Sequence, residues 1–396
     1  MTNTKKGKIQ DILTRGVTNV VVRKSLEKRL GSGKKLRIKL GIDPTHPKLH
    51  IGRAVVLLKL RAFQELGHQI VLIIGDFTGQ IGDSSDKNSE RPMLEEEQVL
   101  KNLKFYKEQA GLLLDISKTE VRYNSEWHNN LTQKEAITLA SKFTVSQMIE
   151  RENFSARLKT GKPVWLHELL YPQLQGYDSV MIKADVEIGG TDQIFNLLAG
   201  REIQRFYKQV PQDVLTSDLI EGTDGRKMSA TYGNAIWLDD APEEMYGKIM
   251  SLADGLIVKY LWLCTNLPAE EIKEIEGQLK KKANPRDAKA KLAQAITGLY
   301  HGTDKAARAS VQFTKVFQSK EAPDKMPSLE IKKKTMLLID LVVATGFAKS
   351  RGEARRLIEQ GGVKYDQKTI KEWQKTIDVK KDAVVRVGKR RWAKIK

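Results

Sequence analysis

Residues 36–76 constrain the fold more than any other stretch. "LRIKLGI" (36–42) reads as a strand, and "LHIGRAVVLLKLRAFQELG" (49–67) has helical apolar spacing and stops at Gly67. "QIVLIIGD" (69–76) is a continuous apolar run of the kind found in a strand buried on both faces. Strand, helix and strand in succession form a βαβ unit, whose strands are parallel. "TEVRYNS" (119–125) and "ADVEIGG" (184–190) read as further strands, with helices near 94–114, 133–152, 165–180 and 191–208. The alternation predicts a doubly wound α/β sheet. Residues 1–34 read as a helical lead-in that ends at "GSGKK".

From about 240 to 304 the pattern turns helical, in "APEEMYGKIMSL", "DGLIVKYLWLC", "AEEIKEIEGQLKKK" and "RDAKAKLAQAITGLYHG". "SKEAPDKMPSLEIKKK" (319–334) is polar, holds two prolines and reads as a linker. The C-terminal end of the chain stands apart in charge. Residues 331–396 carry 19 Lys and Arg against 7 Asp and Glu, so this short end supplies most of the formal charge of +19. A compact basic end on a milder body suggests a polyanion-binding module, with a solvated basic face as the alternative. The one cysteine, Cys264, excludes an intrachain disulfide. The first residues lack the apolar core of a secretion signal, and the longest aliphatic runs are too short to span a bilayer. The expectation is a soluble, cytoplasmic protein.

The loop "GIDPTHPKLHIGR" (41–53) joins the first strand to its helix and carries His46 and His50. A strand-to-helix loop in such a sheet is where nucleotides bind, because backbone N–H groups and the helix dipole face the ligand. Gly41 and Gly52 allow close backbone approach. A zinc pair would need both histidines on one helix face and further ligands, whereas Pro47 separates them and no Cys/His cluster exists. No metal site is expected. Packing or capping remains the rival to nucleotide contact. On "HELLYPQLQGYD", Tyr171, Gln175 and Asp178 are spaced i, i+4, i+7 and so share one helix face.

"HIGR" resembles the HIGH signature of class I aminoacyl-tRNA synthetases, and "GRKMSAT" (225–231) resembles their KMSKS loop. "GDFTGQIGDSSDKNSER" (75–91), "YPQLQGYD" (171–178) and "EIGGTDQIFN" (187–196) resemble the amino-acid pocket of the bacterial tyrosine-specific branch. "AKSRGEARRLIEQGGVKYDQK" resembles an S-four-type RNA-binding domain. The resemblance spans nearly the whole chain. It implies a helical lead-in (1–34), a Rossmann-like catalytic domain (35–225), a KMSKS-like loop with a helical domain (226–320), a linker (321–332) and a basic α+β RNA-binding domain (333–396). It further implies tyrosine activation by ATP, with Mg2+ accompanying the phosphates, transfer to the terminal adenosine of a tRNA, and a homodimer.

By that resemblance Asp178 takes the substrate hydroxyl, and Lys39 stands beside the phenol. Tyr171, Gln175 and Asp83 hold the ammonium group, and Gln193 meets the carboxylate side. Asp192 binds the ribose. Gly41, Asp43, Thr45, Gly52, Gly190 and Ser229 complete the ATP site. His50 and Thr45 contact phosphates, while Lys87, Arg91 and Lys227 stabilise the leaving pyrophosphate. Lys349, Arg351, Arg355 and Arg356 start a helix suited to RNA phosphates, and the tryptophan of "KRRWAK" suits stacking on RNA. The sequence departs from the usual pattern at Arg53 (usually His), Ala230 (usually Lys), Asp86 (usually Gly) and Lys39 (a tyrosine in many bacterial members, although one bacterial branch also carries Lys). These departures leave room for a paralogue that binds RNA without efficient activation. A tryptophan-specific sister enzyme is the other rival.

Overall fold

The computed structural model describes residues 3–85, 93–317, 326–331, 333–388 and 391–396. They fall into two compact units, Met1–Thr303 and Asp304–Lys396. The first is built on β1 (Val17–Val21), β2 (Arg37–Ile42), β3 (Gln69–Ile74), β4 (Thr119–Tyr123), β5 (Val186–Gly190) and β6 (Asp213–Ser217). Their order in one sheet is β1-β6-β5-β2-β3-β4. β2 pairs in parallel with both β3 and β5, β3 with β4, and β5 with β6. The continuous apolar run of β3 follows from cover on both faces: Ile70 through Ile74 are all buried.

The lead-in departs from the expected helix. Helices Asn3–Thr14 and Arg23–Gly31 flank β1, which adds to the sheet antiparallel to β6. Gly16, at φ +62°, breaks the first helix, and the β-branched run after it favours extended backbone. A short apolar run fits either period, so spacing alone could not separate the two. β6 was not foreseen either. All five of its residues are buried, but three are polar. Two of these find partners in the lead-in: Ser25 Oγ donates to Asp213 at 3.2 Å and Asn19 Nδ2 to Thr216 Oγ1 at 3.1 Å.

The expected helices near 94–114 and 133–152 are each two shorter ones, Glu96–Leu103 with Tyr106–Gly111, and Gln133–Ala140 with Val145–Ile149. Thr144 starts the last of these with a capping box, which explains the restart. Leu166–Met181 and Ile194–Phe206 pack on each other beside the sheet. Pro242–Met250, Ile257–Cys264, Ala269–Lys280 and Pro285–His301 follow the helical pattern, around a core that includes Met245, Leu261, Leu292 and Ile296. No helix among the described residues is long and apolar enough to cross a membrane.

The second unit contains β7 (Ser328–Leu329), β8 (Thr335–Leu337), β9 (Val363–Tyr365), β10 (Lys368–Thr369), β11 (Thr376–Asp378), β12 (Val384–Val387) and β13 (Arg391–Ile395), with helices Leu338–Ala344 and Arg351–Glu359. One sheet has the order β10-β9-β12-β13-β7 and a second joins β11 to β8. The core centres on Leu338, Leu341, Ile358, Val363 and Val385. β7 lies within the segment read as a linker, yet it pairs in parallel with β13 and so belongs to this sheet. Trp392 also departs from expectation. It is buried in β13 with the Arg386 guanidinium 4.6 Å over its ring, so it presents no face for RNA.

Candidate active site

The sheet grows outward in both directions from the adjacent strands β2 and β5. In open α/β sheets the crevice at such a switch point, beyond the strand ends, is where ligands bind. Here it is a cavity of about 930 Å3. Its lining brings together Gly41, Asp43, Thr45, His50, Gly52, Asp83, Tyr171, Gln175, Asp178, Gly190, Asp192, Gln193, Lys227 and Ser229, with Arg53 and Ala230.

The 41–53 loop frames one side. His50 caps the helix Ile51–Glu65: its Nδ1 accepts from the Arg53 N–H at 3.3 Å, so the ring proton lies on Nε2. Burial, and after it the charges of Arg53, His46 and Lys227, push the His50 imidazole down to about 3. Capping and cavity lining therefore coincide in this residue. His46 stacks on Trp237 with ring centres 4.8 Å apart. Gly52 is held close to the His50 ring, where a Cβ would lie 3.0 Å from Nδ1. At Gly41 nothing lies within 4 Å of a would-be Cβ, so a side chain there would enter the cavity. Arg53 Nη1 reaches the Asp43 carbonyl at 3.4 Å.

The Tyr171 hydroxyl donates to Asp43 Oδ2 at 2.9 Å, and Thr78 Oγ1 donates to Asp43 Oδ1 at 2.8 Å. Burial and then the charges of Asp43 and Asp83 raise the Tyr171 phenol well above its ordinary value, so it stays protonated. Its hydroxyl proton is engaged, which leaves lone pairs toward the cavity. Gln175 Nε2 donates to Glu187 Oε1 at 3.1 Å. Gln193 Nε2 donates to Asp83 Oδ2 at 2.6 Å and Ser85 Oγ at 2.7 Å, while its carbonyl accepts from Asn196 at 3.0 Å. Asp83 also accepts from the Ser85 N–H at 3.0 Å and from Asn196 at 3.3 Å. Gln193 and Asp83 thus have most of their hydrogen-bonding capacity filled by each other and their neighbours.

Asp178 is buried and lines the cavity. Trp127 Nε1 and His128 Nε2 both lie 2.8 Å from its Oδ1, and Asn124 Nδ2 lies 3.4 Å from its Oδ2. None of these three partners stood out in the sequence. The available signal was their position: "NSEWH" (124–128) directly follows β4, at the strand end where such sheets carry functional loops.

Lys39 is the one described pocket residue that the structure places elsewhere. It does not line the cavity. Its Nζ donates at 2.8 Å to each of Glu187 Oε1, the Gln175 carbonyl and Ser179 Oγ, which uses all three of its protons. On the opposite side, Lys227 Nζ lies 3.1 Å from Asp192 Oδ2. The loop around it is pinned by Asn234, whose Oδ1 accepts from the Ser229 N–H at 2.9 Å and whose Nδ2 donates to the Lys227 carbonyl at 3.1 Å. At Gly190 a Cβ would meet Asp192 Oδ1 at 2.6 Å, so a side chain there would push the Asp192 carboxylate aside. Lys87 and Arg91, with Asp86, lie outside the described residues.

In the second unit, Arg351, Arg355 and Arg356 lie exposed on the Arg351–Glu359 helix, and exposed Lys349 precedes its Ser350 cap. Arg351 pairs with Asp340 at 2.9 Å. Arg355 pairs with Glu359 at 2.8 Å and lies 5.0 Å over the Trp373 ring. Among the described residues no group of His, Cys, Asp or Glu is arranged to hold a metal ion.

Comparison with known proteins agrees with this geometry. The profile of the class I (W and Y) tRNA synthetases matches residues 32–318, and that of the tyrosine–tRNA ligase SYY-like C-terminal domain matches residues 318–395. The chain is 52% identical over 386 residues to a tyrosine–tRNA ligase of Thermotoga maritima, covering 97% of this chain and 96% of that one. It is 46% identical over 397 residues to one from Carboxydothermus hydrogenoformans, covering 97% of each. Among solved structures, a tyrosyl-tRNA synthetase of Archaeoglobus fulgidus complexed with L-tyrosine superposes with a TM-score of 0.61 at 20% identity, covering 77% of this chain and 99% of that one. A C-terminally truncated mitochondrial tyrosyl-tRNA synthetase of Aspergillus nidulans gives a TM-score of 0.66 at 23% identity, over 78% and 94% respectively. At these identities the structural matches speak for a shared fold.

Proposed function

The chain belongs to the class I tRNA synthetases of the tryptophan and tyrosine family, and from that premise we propose how its residues divide the work of tyrosine–tRNA ligation. The activity is that of a tyrosine–tRNA ligase, with ATP as substrate and tyrosine and tRNA as partners. The tyrosine carboxylate attacks the α-phosphate of ATP and pyrophosphate leaves. A ribose hydroxyl of the terminal adenosine then attacks the activated carbonyl and AMP leaves. No covalent enzyme intermediate is needed, so catalysis rests on positioning and on charge placed where it develops.

One observation carries the assignment: a buried carboxylate, Asp178, lines the cavity with one oxygen that has, among the described residues, only a 3.4 Å contact. That oxygen is the acceptor for the substrate phenol. Tyr171 and Gln175 present lone pairs, because their protons go to Asp43 and Glu187. Lone pairs are what an ammonium group needs. Asp83 adds charge to that end, and Gln193 reaches the substrate carboxylate by giving up one of its two present acceptors. Lys39 supports Gln175 from behind instead of touching the phenol.

On the nucleotide side, Gly41, Gly52 and Gly190 let backbone approach the ligand, Asp192 takes the ribose, and Asp43, Thr45 and Ser229 complete the site. His50 donates through Nε2–H without a charge of its own. Lys227 is the described cation for the pyrophosphate, with Lys87 and Arg91 assigned the same task on sequence. Mg2+ would arrive with ATP and neutralise pyrophosphate charge. Its ligands would be mainly phosphate oxygens, since Asp43, Asp192 and Asp218 offer only single, separated carboxylates around the cavity. Exposed Ile137, Val145, Trp165 and Leu166 support a homodimer, and the lone buried Cys264 suits the cytoplasm.

The deciding measurement is amino-acid-dependent ATP–pyrophosphate exchange with tyrosine, tryptophan and phenylalanine. Exchange driven by tyrosine alone is expected, and exchange driven by tryptophan would overturn the pocket assignment. Removal of residues 318–396 should leave exchange nearly intact and cut tRNA charging at least about tenfold. Charging by the full chain should also fall more steeply with salt, since phosphate contacts release counterions. Equal loss of both activities would make the second unit structural.

A further inference from the structure

We propose that His128 is a positioning residue for substrate selection. Together with Trp127 it holds one oxygen of Asp178, so that the other is presented to the substrate hydroxyl. The inference rests on Asp178 being the phenol acceptor. Helix Ser125–His128 is a single turn that follows Asn124. Positions 124, 127 and 128 are related by i, i+3 and i+4, so their side chains leave the turn on one side. All three reach Asp178, but not the same oxygen. The indole N–H of Trp127 and Nε2 of His128 converge on Oδ1 at 2.8 Å each. A carboxylate oxygen offers two lone pairs, so Oδ1 is filled. Oδ2 has only Asn124 Nδ2 at 3.4 Å, and that amide also donates to Thr78 Oγ1 at 2.8 Å.

Placement separates the two kinds of donor. Asn124 and Asp178 line the cavity, whereas Trp127 and His128 do not and are buried. The strong donors therefore act from behind the carboxylate. A carboxylate only accepts, so the imidazole proton facing it lies on Nε2. Nδ1 is buried and has no partner among the described residues. A histidine kept for structure alone would be expected to satisfy both nitrogens. The ring is held instead by packing, stacked on Phe77 at 5.0 Å and tilted against Tyr177 at 5.9 Å. Among the described residues the ring's one polar contact is with Asp178. With one donor on Oδ1 the carboxylate could turn and exchange its oxygens; with two from fixed directions it presents Oδ2.

The test compares His128→Leu, which removes the donor, with His128→Gln, which restores an N–H donor. Each is assayed by ATP–pyrophosphate exchange with tyrosine and with phenylalanine. His128→Leu should raise KM for tyrosine about tenfold or more, the range for losing a hydrogen bond to a charged group. Its kcat and its KM for phenylalanine should stay close to the parent values, so the preference for tyrosine falls by the same factor. His128→Gln should recover most of that loss, and His128→Leu should add nothing to an Asp178→Asn variant. A His128→Leu enzyme that keeps the parent preference, or loses both substrates equally, overturns the proposal. If Asp178→Asn itself leaves the preference unchanged, the phenol assignment fails first. If Asp178→Asn removes the preference and His128→Leu does not, only the role of His128 falls.

Discussion

Asp178, on the helix Leu166–Met181, and Glu187, which meets that helix from β5, are both buried carboxylates, yet they are finished differently. Glu187 is paired with Lys39 at 2.8 Å and also accepts from Gln175, Ser179 and Gln212. Lys39 has no proton left over. That cluster is closed at its charges: the Lys39 ammonium and the Glu187 carboxylate are both answered from within the protein. Asp178 has no Lys or Arg partner among the described residues, two donors on one oxygen and a cavity before the other. An incompletely answered buried carboxylate is costly unless a ligand completes it. A closed pair supports structure; an open one is a place for substrate.

The sharpest way to break this comparison is at the open site. Asp178→Ala should collapse discrimination between tyrosine and phenylalanine in kcat/KM by orders of magnitude. Rejection of phenylalanine through unpaired polar groups is a known property of tyrosyl-tRNA synthetases themselves, so its size is theirs and does not come from these distances. An unchanged ratio would remove Asp178 from the phenol site. The closed site should respond in stability instead. Lys39→Met leaves Glu187 without its cation and should lower unfolding free energy by about 3–5 kcal/mol, with the tyrosine preference kept. Urea denaturation measures this, and adding Glu187→Gln should restore much of the loss. A preserved stability would mean that the pair is not closed as described.

Two smaller effects sharpen the contrast on the nucleotide side. Ala230 lines the cavity, where a lysine would add a charge close to Lys227. Ala230→Lys should speed adenylate formation by about ten- to a hundredfold, the value of one charge-assisted contact in the transition state, with little change in tyrosine affinity. Pre-steady-state rates decide, and no gain would mean that Arg53 already supplies that charge. His50 gives the smallest effect. Its pKa is held at about 3, below the unfolded value near 6.5, so the unfolded chain binds a proton that the folded one refuses. Its contribution to stability is complete above pH 6.5 and is lost as pH falls toward 3. Between pH 6.5 and 5 the loss should be about 1–2 kcal/mol, seen as a slope that His50→Leu flattens. The rate of activation should show no step near pH 6.5.

The sequence by itself determined the parallel sheet, because "LRIKLGI" and "QIVLIIGD" around an amphipathic helix admit little else. It also determined much of the cavity lining, because Tyr171, Gln175 and Asp178 share a helix face by spacing and the 41–53 loop must lie at a strand end. What it could not decide was which groups answer one another across the sheet. β1 looked helical because its short valine run fits both periods, and only pairing with β6 settled it. Lys39 was expected beside the phenol by family resemblance, and the sequence gives its strand but not its partners. Glu187, 148 positions later in the chain, takes its charge away from the cavity. Nothing in the sequence singled out His128, and only folding brought it to Asp178, 50 positions away. Local propensity acts over a few residues, whereas the cost of a buried charge is settled by neighbours that only the tertiary fold supplies.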